Sequence, residues 1–420
     1  MRRIVVTLAC LFLLVPILSR ADDAPEFELR DGDRVVFVGN TFIERDQVYG
    51  YLETMLTARW PDRNITFRNL GWSGDTVWGE ARAGFDTPIE GFKRLVEQVE
   101  TAMPTVIFVG YGTNESFAGA SGVAPFREGL VRLLEQLEKH KPRIVVLSPI
   151  PHERIVPPLP DPEERNANLK LYTDAMGEIS SERGHAFVDI FGRGMQNMSE
   201  ASFKPRSENG MHLSRDGYWH FASDVLFGLK VWSAHSSQRV GECDGVSLDS
   251  FLDVEVAGFV REAGSYRFDA TFASLPVLPN FSAARFGRKD PERTANTESL
   301  RMFLVRGLPP GEYAFRVVGK PMDEHRFRAV VGAIHWLHPP PDLEARQSQE
   351  LRQAIVQKNR LYFHRWRPQN ETYLFGFRKH EQGNNAAEIP KFDPLVEELE
   401  AKIAKLRVPV KHSYELIRQP

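Results

Sequence analysis

The sequence is poor in cysteine, has no strong excess of charge of either sign and contains no long hydrophobic run beyond its N-terminus. Two cysteines, Cys10 and Cys243, occur in 420 residues, which excludes a disulfide framework and a zinc site built from cysteines. The 53 basic and 56 acidic residues give a formal net charge of −3, whereas nucleic-acid-binding proteins usually carry a clear basic excess. We therefore predict no nucleic-acid partner.

The composition that remains is that of an ordinary globular protein. Hydrophobic residues make up 42% of the chain and charged residues 26%, which excludes a disordered or collagen-like chain. At roughly 100–200 residues per domain, a chain of 420 residues is expected to form two or three domains.

The N-terminus has the pattern of a secretory signal peptide. Arg2 and Arg3 precede an apolar run from Ile4 to Leu18, and Ser19-Arg20-Ala21 then places small residues on either side of Arg20. A membrane anchor is the alternative, but this run is shorter than the roughly 20 residues that span a bilayer. We predict cleavage of residues 1–21, no stable membrane anchor afterwards, and a secreted or periplasmic protein.

Short runs rich in Val, Ile and Phe alternate with segments of helical periodicity over the first half of the chain. The predicted strands are Arg34–Val38, Ile65–Asn69, Thr105–Tyr111, Ile144–Ile150 and Ala186–Ile190. The predicted helices are Val48–Trp60, Phe92–Thr101, Pro125–His140, Asn166–Arg183 and Arg215–Trp232. Hydrophobic strands without strict alternation are typical of a parallel sheet buried on both faces. This rhythm predicts a three-layer α/β domain with a parallel five-stranded sheet over residues 31–236.

The second half of the chain has a different pattern. Short β-like runs and turn signals predict a small β-rich domain over residues 245–320. A C-terminal helical region follows over 340–420, with helices at Leu343–Tyr362 and Glu397–Leu406. Within it, Arg365-Trp366-Arg367 interleaves aromatic and cationic side chains, which either stack on sugars or bases or pack against the core.

Candidate chemistry lies in loops that follow predicted strands, because ligands of α/β sheets bind at the carboxyl ends of strands. The four loops are Gly39-Asn40-Thr41, Asn69-Leu70-Gly71-Trp72-Ser73-Gly74-Asp75-Thr76, Gly110-Tyr111-Gly112-Thr113-Asn114-Glu115 and Asn209-Gly210-Met211-His212. Together they bring hydroxyl, amide and imidazole side chains to one edge. Acyl transfer needs a hydroxyl beside an imidazole base, and fixed donors for the oxyanion.

In this order and spacing, the four loops resemble the blocks of the SGNH, or GDSL-type, hydrolase superfamily. The resemblance covers about residues 33–236 and implies a flavodoxin-like fold and ester hydrolysis. It implies that Thr41 is the nucleophile, that His212 is the general base, and that Gly71 and Asn114 donate to the oxyanion.

The sequence departs from the family pattern at two of these positions. Thr41 replaces the family's serine, and its extra methyl restricts the side chain and crowds an approaching carbonyl. Asn209 replaces the family's aspartate; an amide can orient the imidazole but cannot stabilise an imidazolium by charge. Glu208 is a candidate to supply that charge. Asn40 and Ser73 are possible supporting residues, although both residue types commonly cap turns.

We therefore predict an exported ester hydrolase that acts on the acetyl ester of a carbohydrate or on another small acyl ester. A catalytically silent carbohydrate-binding protein on the same fold is the alternative. In a third hypothesis, the β-rich domain docks the enzyme on polymeric substrates. We predict no cofactor, and no metal, because the histidines lack metal-ligand spacing with carboxylates.

Overall fold

The computed structural model describes most of the chain. The described residues are 27–155, 161–200, 203–231, 238–250, 254–262, 264–277, 303–319, 324–337, 342–383 and 385–420. The predicted signal peptide, residues 1–21, lies outside them. Within the described residues, no helix is both long and apolar enough to cross a membrane.

The first half of the chain forms a parallel five-stranded sheet, as the sequence predicts. The strands are β1 (Arg34–Gly39), β2 (Thr66–Asn69), β3 (Val106–Gly110), β4 (Arg143–Leu147) and β5 (Ala186–Val188). Their order in the sheet is β2-β1-β3-β4-β5. Val35 and Phe37 of β1 join the core on one face of the sheet, and Val36 and Val38 join the core on the other. The sheet is therefore buried on both sides, which explains its continuous hydrophobic runs.

Helices cover both faces of this sheet. They are α1 (Thr41–Tyr49), α2 (Tyr51–Arg59), α3 (Pro88–Thr101), α4 (Val123–Leu137), α5 (Glu163–Arg183), α6 (Ile190–Met198) and α7 (Arg215–Gly228). The predicted helix Val48–Trp60 corresponds to α2 and the last two residues of α1, and the rest of α1 was not predicted. The two helices meet at Gly50, which has a left-handed conformation (φ 66°). The first helix begins directly after β1 because the Asn40 side chain caps it, accepting a hydrogen bond from the Phe42 N–H at 3.3 Å.

The second half of the chain forms two antiparallel sheets that share one hydrophobic core. The strands before the C-terminal helices are β6 (Gln238–Cys243), β7 (Val246–Ser250), β8 (Val254–Glu262), β9 (Ser265–Phe272), β10 (Phe303–Arg306), β11 (Gly311–Val317), β12 (His325–Ala329) and β13 (Ile334–Leu337). One sheet has the order β13-β10-β7-β6. The strands thus extend on both sides of the predicted limits 245–320.

The C-terminal region contains helices and a strand. The helices are α8 (Asp342–Trp366), α9 (Glu371–Leu374) and α10 (Phe392–Leu406), and the strand is β14 (His412–Arg418). The strand completes the second sheet, whose order is β12-β11-β14-β9-β8. The predicted helical region 340–420 therefore also supplies an inner strand of the β-rich part. Tyr414 and Leu416 of this strand are buried in the core that the two antiparallel sheets share.

Helix α8 packs on the α/β domain through a buried ion pair. Lys358 Nζ lies 2.7 Å from Glu53 Oε1 of α2, and both side chains are at most 5% exposed. Asn359 donates to the same carboxylate at 3.0 Å, and Lys358 also donates to the Phe67 carbonyl of β2. Because an isolated buried charge is very costly, these contacts fix the position of α8 against α2 and β2.

Candidate active site

The four loops singled out in the sequence lie at the carboxyl edge of the parallel sheet, where β1, β2 and β3 end and where α7 begins. Thr41 is the first residue of α1, directly after β1. Its hydroxyl therefore lies at a helix N-terminus, where the helix dipole and unpaired backbone N–H groups favour negative charge. Asn40 supports this placement as the helix cap and contributes no chemistry of its own in the contacts described.

The Thr41 hydroxyl accepts a hydrogen bond from a backbone N–H of the β2 loop. Gly74 N lies 3.2 Å from Thr41 Oγ1 and donates to it. Gly74 has a φ of 79°, a left-handed conformation that favours glycine, and this turns its N–H toward α1. The Ser73-Gly74-Asp75 turn is the sequence signal that points to this donor, whereas the prediction names Gly71.

The assignment of Gly71 to the oxyanion hole is corrected by the structure. The Gly71 N–H donates to Asn69 Oδ1 at 2.9 Å, within its own loop. A side chain at Gly71 would place its Cβ 2.3 Å from the backbone nitrogen of Glu44. Gly71 therefore allows the β2 loop to pack closely on α1, and Gly74 is the donor that faces Thr41.

Asn114 is held beside Gly74 by a buried ionic network. Its Nδ2 donates to the Asp75 carbonyl at 2.7 Å, so one amide hydrogen is used and the second remains for another acceptor. The Asp75 carboxylate accepts from Arg82 Nε at 2.7 Å and from the Tyr111 hydroxyl at 3.0 Å. Both Asp75 and Arg82 side chains are 0% exposed. The network fixes the residue that follows Gly74 and thereby both candidate oxyanion donors.

Glu115 joins the β2 and β3 loops. Its carboxylate accepts from the Val77 N–H at 2.8 Å and from the Gly112 N–H at 2.9 Å. Burial raises the pKa of Glu115 to about 7, and the two backbone donors oppose that rise. Glu115 therefore orients the segment that carries Asn114.

His212 and Asn209 are in contact, as the sequence predicts. Asn209 Nδ2 lies 3.0 Å from His212 Nδ1. The other end of the amide, Oδ1, accepts from the backbone N–H groups of His212 at 2.9 Å and Met211 at 3.2 Å. These two donors require an oxygen at that position, so the Asn209 NH₂ group must face the ring. It donates to Nδ1, and the neutral ring then carries its proton on Nε2.

The loop that carries His212 is anchored to the rest of the domain by Glu153. This buried carboxylate accepts from the backbone N–H groups of Arg206 and Ser207, at 2.9 Å and 2.8 Å for the closest oxygen. The Glu153 N–H donates in turn to the Gly210 carbonyl at 2.8 Å. Glu153 has no motif around it, so no sequence signal identified its role.

His212 lies close enough to Arg45 of α1 for the charge of Arg45 to act on its ring. Burial lowers the pKa of His212, and the nearby positive charge of Arg45 lowers it further, whereas Glu208 acts in the opposite direction. Arg45 is one helical turn after Thr41, and its Nη2 lies 3.2 Å from Glu208 Oε2. Within the described residues, the Thr41 hydroxyl and the His212 ring share no hydrogen bond.

Glu208 and Ser73 both lie at this edge. The Glu208 backbone N–H donates to the His212 carbonyl at 2.8 Å, but its carboxylate has another partner. Glu208 is half exposed and pairs with Arg45 rather than with the His212 ring. Ser73 donates its backbone N–H to the Glu44 carboxylate. Among the residues that the structure describes, no group of three or more His, Cys, Asp or Glu side chains is placed to hold a metal ion.

Comparison with known proteins agrees with this geometry. Residues 38–220 match the model of the GDSL-like lipase/acylhydrolase family. A search of curated proteins finds no match.

Among solved structures, a gut microbial diltiazem-metabolizing enzyme aligns with a TM-score of 0.64 and 16% identity, covering 93% of this chain and 99% of the other. A catalytic mutant of an acetylxylan esterase from Geobacillus stearothermophilus aligns with a TM-score of 0.40 and 17% identity, covering 48% and 96%. At such identities the first likeness shows a shared fold over nearly the whole chain. The expected resemblance is confirmed by the family model for residues 38–220, which lie within the α/β domain.

Proposed function

We propose that this protein is a slow carboxylic ester hydrolase whose nucleophile is Thr41. The observation that carries the proposal is the contact of 3.2 Å between Thr41 Oγ1 and the Gly74 N–H, at the N-terminus of α1 and beside Asn114. A hydroxyl next to fixed N–H donors is the arrangement that acyl transfer requires.

In the proposed reaction, Thr41 Oγ attacks the ester carbonyl carbon while its proton passes to His212 Nε2. Gly74 and Asn114 donate to the oxyanion, the alcohol leaves with the proton from His212, and water then hydrolyses the acyl-threonine. For the first step Nε2 must be unprotonated, so the ring proton must move to Nδ1. That shift requires the Asn209 amide to give up its bond to Nδ1 and its two backbone hydrogen bonds, which makes turnover slow.

The preferred substrate is a small acyl ester, in particular the acetyl ester of a carbohydrate. The Thr41 methyl group crowds the attacking oxygen, and this favours the smallest acyl group. Phe117 lies three residues after Asn114 and is 64% exposed. The Arg165 guanidinium covers one face of its ring at 3.6 Å from the centroid, which leaves the other face for a sugar ring.

The test is hydrolysis of 4-nitrophenyl acetate and of an acetylated xylo-oligosaccharide by the purified protein. Thr41→Ala and His212→Ala are each expected to remove measurable turnover. Ser73→Ala is the matched control, because it removes the other hydroxyl at the same edge and should leave the rate unchanged. Unchanged activity in Thr41→Ala, or loss of activity in Ser73→Ala alone, would contradict the assignment.

A catalytically silent carbohydrate-binding protein is the second candidate, and the Asn209 orientation favours it. A ring with its proton on Nε2 can donate a hydrogen bond to a bound sugar but cannot accept the Thr41 proton. This candidate predicts calorimetric binding of the acetylated oligosaccharide that survives Thr41→Ala, with no acetate released over days.

The proposed site of action is outside the cytoplasm, on the basis of the basic and apolar pattern of residues 1–21. Expression of the full chain followed by N-terminal sequencing of the exported protein tests this. A mature N-terminus at Asp22 is expected, and retention of the intact chain in the cytoplasm would contradict it.

A further inference from the structure

The end of helix α8 reaches the candidate active site from the opposite half of the chain. Residues Trp72 to Gly74, here called the Gly74 loop, carry the donor that faces Thr41. Arg367, the residue after α8, lies on this loop. Its guanidinium carbon is 3.5 Å from the centroid of the Trp72 ring, and Trp366 packs edge-on against the same ring.

Arg367 also pairs with an acidic residue of α1. Its Nη1 lies 3.1 Å from Glu44 Oε2, and the two side chains are only 25% and 20% exposed. The pair is therefore partly shielded from solvent, and this shielding makes a charged hydrogen bond stronger than it would be at an open surface. Arg367 thus contacts the Gly74 loop and α1 at the same time.

The Glu44 carboxylate completes the connection to the catalytic groups. The same oxygen that binds Arg367 accepts the backbone N–H of Ser73. Ser73 directly precedes Gly74, whose N–H lies 3.2 Å from Thr41 Oγ1. Glu44 is three residues after Thr41 in α1, so both project from neighbouring positions of one helix. Arg367, Glu44 and the Ser73 amide therefore hold the Gly74 loop against the Thr41 end of α1.

Arg367 and its neighbour Arg365 have different partners at the end of α8. Arg365, two residues earlier, faces the other way and binds Asp393 at the start of α10, with Nε 2.7 Å from Oδ1. The buried pair of Lys358 and Glu53 anchors α8 two turns before Arg367. The helix end is thus fixed by contacts that do not involve the site. Because Arg367 stacks on Trp72, its guanidinium face packs against the protein rather than on a sugar.

We propose that Arg367 is a positioning residue for the Gly74 oxyanion donor, so that the C-terminal helical region is part of the hydrolase site. The inference rests on the proposed function for its effect on catalysis. It extends that function because a residue from outside the family domain, which covers 38–220, sets the geometry of the oxyanion hole. Arg367 acts through Glu44 and Trp72 without touching the substrate.

The kinetic test compares Arg367→Ala with the matched control Arg365→Ala in the full chain, with 4-nitrophenyl acetate as substrate. A misplaced oxyanion donor lowers kcat by about 10–100-fold and leaves KM within about twofold, because the donor acts in the transition state. Arg365→Ala is expected to keep the kcat of the unaltered protein. Added guanidinium ion should restore part of the kcat of Arg367→Ala only. Equal kcat values in the two variants would overturn the inference, while loss of turnover in Thr41→Ala would still support the proposed function.

A second measurement does not depend on activity. Hydrogen exchange of the Ser73 and Gly74 amides should be at least about 10-fold faster in Arg367→Ala than in Arg365→Ala, while the β3 amides stay protected in both. Protection of Ser73 that is unchanged in Arg367→Ala would overturn the inference. If the unaltered protein proves inactive, the proposed function fails, and this exchange experiment still decides whether Arg367 holds the loop.

Discussion

The two sides of the site differ in how they are built. On the oxyanion side, Gly74 and Asn114 are fixed by Asp75, whose carboxylate binds Arg82 and Tyr111 out of contact with solvent. On the histidine side, the ring of His212 is held by one amide, that of Asn209, near the surface. In the proposed reaction, the donors to the oxyanion are thus fixed before substrate binds. The proton acceptor is set in the tautomer that the first reaction step cannot use.

In the proposed reaction, this difference places the slow step on the histidine side. Donors that are already in place stabilise the oxyanion without rearrangement. Compared with a Ser-His-Asp triad, the site therefore lacks only the aspartate, which supplies a negative charge and fixes the histidine tautomer. The predictions below alter one side at a time and are ordered by the size of the expected effect.

Restoring a carboxylate at position 209 is expected to have the largest effect. In Asn209→Asp, one oxygen keeps the backbone hydrogen bonds and the other accepts Nδ1–H, which leaves Nε2 able to take the Thr41 proton. By analogy with the serine-protease triad, kcat should rise by about 10²–10⁴. Glu208→Asp serves as the control because it alters a neighbouring acid. No gain in Asn209→Asp would show that proton transfer does not limit the site.

Breaking the buried network should mainly cost stability. In Asp75→Asn, the Arg82 guanidinium loses its charged partner while both positions stay buried, and the free energy of unfolding should fall by about 3–5 kcal/mol. Urea denaturation followed by tryptophan fluorescence measures it. Asp174→Asn, in an exposed pair with Lys170, is the control and should change it by at most about 0.5 kcal/mol. Equal losses in the two variants would contradict the importance of the network.

Removing the second oxyanion donor should affect rate alone. Asn114→Ala deletes the amide that the Asp75 carbonyl orients, and kcat should fall by about 10²–10³. Asn64→Ala, at the opposite edge of the sheet, should leave kcat unchanged. If Asn114→Ala instead raised KM with kcat unchanged, the amide would bind the ground state rather than the oxyanion.

The smallest effect concerns pH. The base must be neutral, so activity falls as pH drops through the pKa of His212, which burial and Arg45 hold below about 6.5. Arg45→Gln removes the positive charge, so the acid limb of the pH–rate profile should move to higher pH. Arg239→Gln in β6 is the control. A limb that moves downward in Arg45→Gln would contradict the assignment of His212 as the titrating base.

The sequence was sufficient for the fold of the first half because hydrophobic runs of a doubly covered sheet are locally visible. It also singled out Thr41, Asn114, Asn209 and His212 as candidates, and the structure places their loops at the carboxyl edge of the sheet. It assigned Gly71 instead of Gly74, because only the packed structure shows which N–H is already bonded within its loop. Glu153 and Arg367 act across large sequence separations and have no local pattern.

Strand β14 has a consequence for how the protein responds to cleavage. The chain leaves the β-rich part after β13, crosses the α/β domain as α8, and returns to lie between β9 and β11. A single protease cut between α8 and α10 would therefore leave two fragments that stay associated. Strand β14 would remain paired with β9 and β11, and α10 would remain packed on α8. The nicked protein should run as one species on a native gel and separate only in denaturant. For the same reason, excising 245–320 would strip β14 of both neighbours and cannot report on a docking role alone.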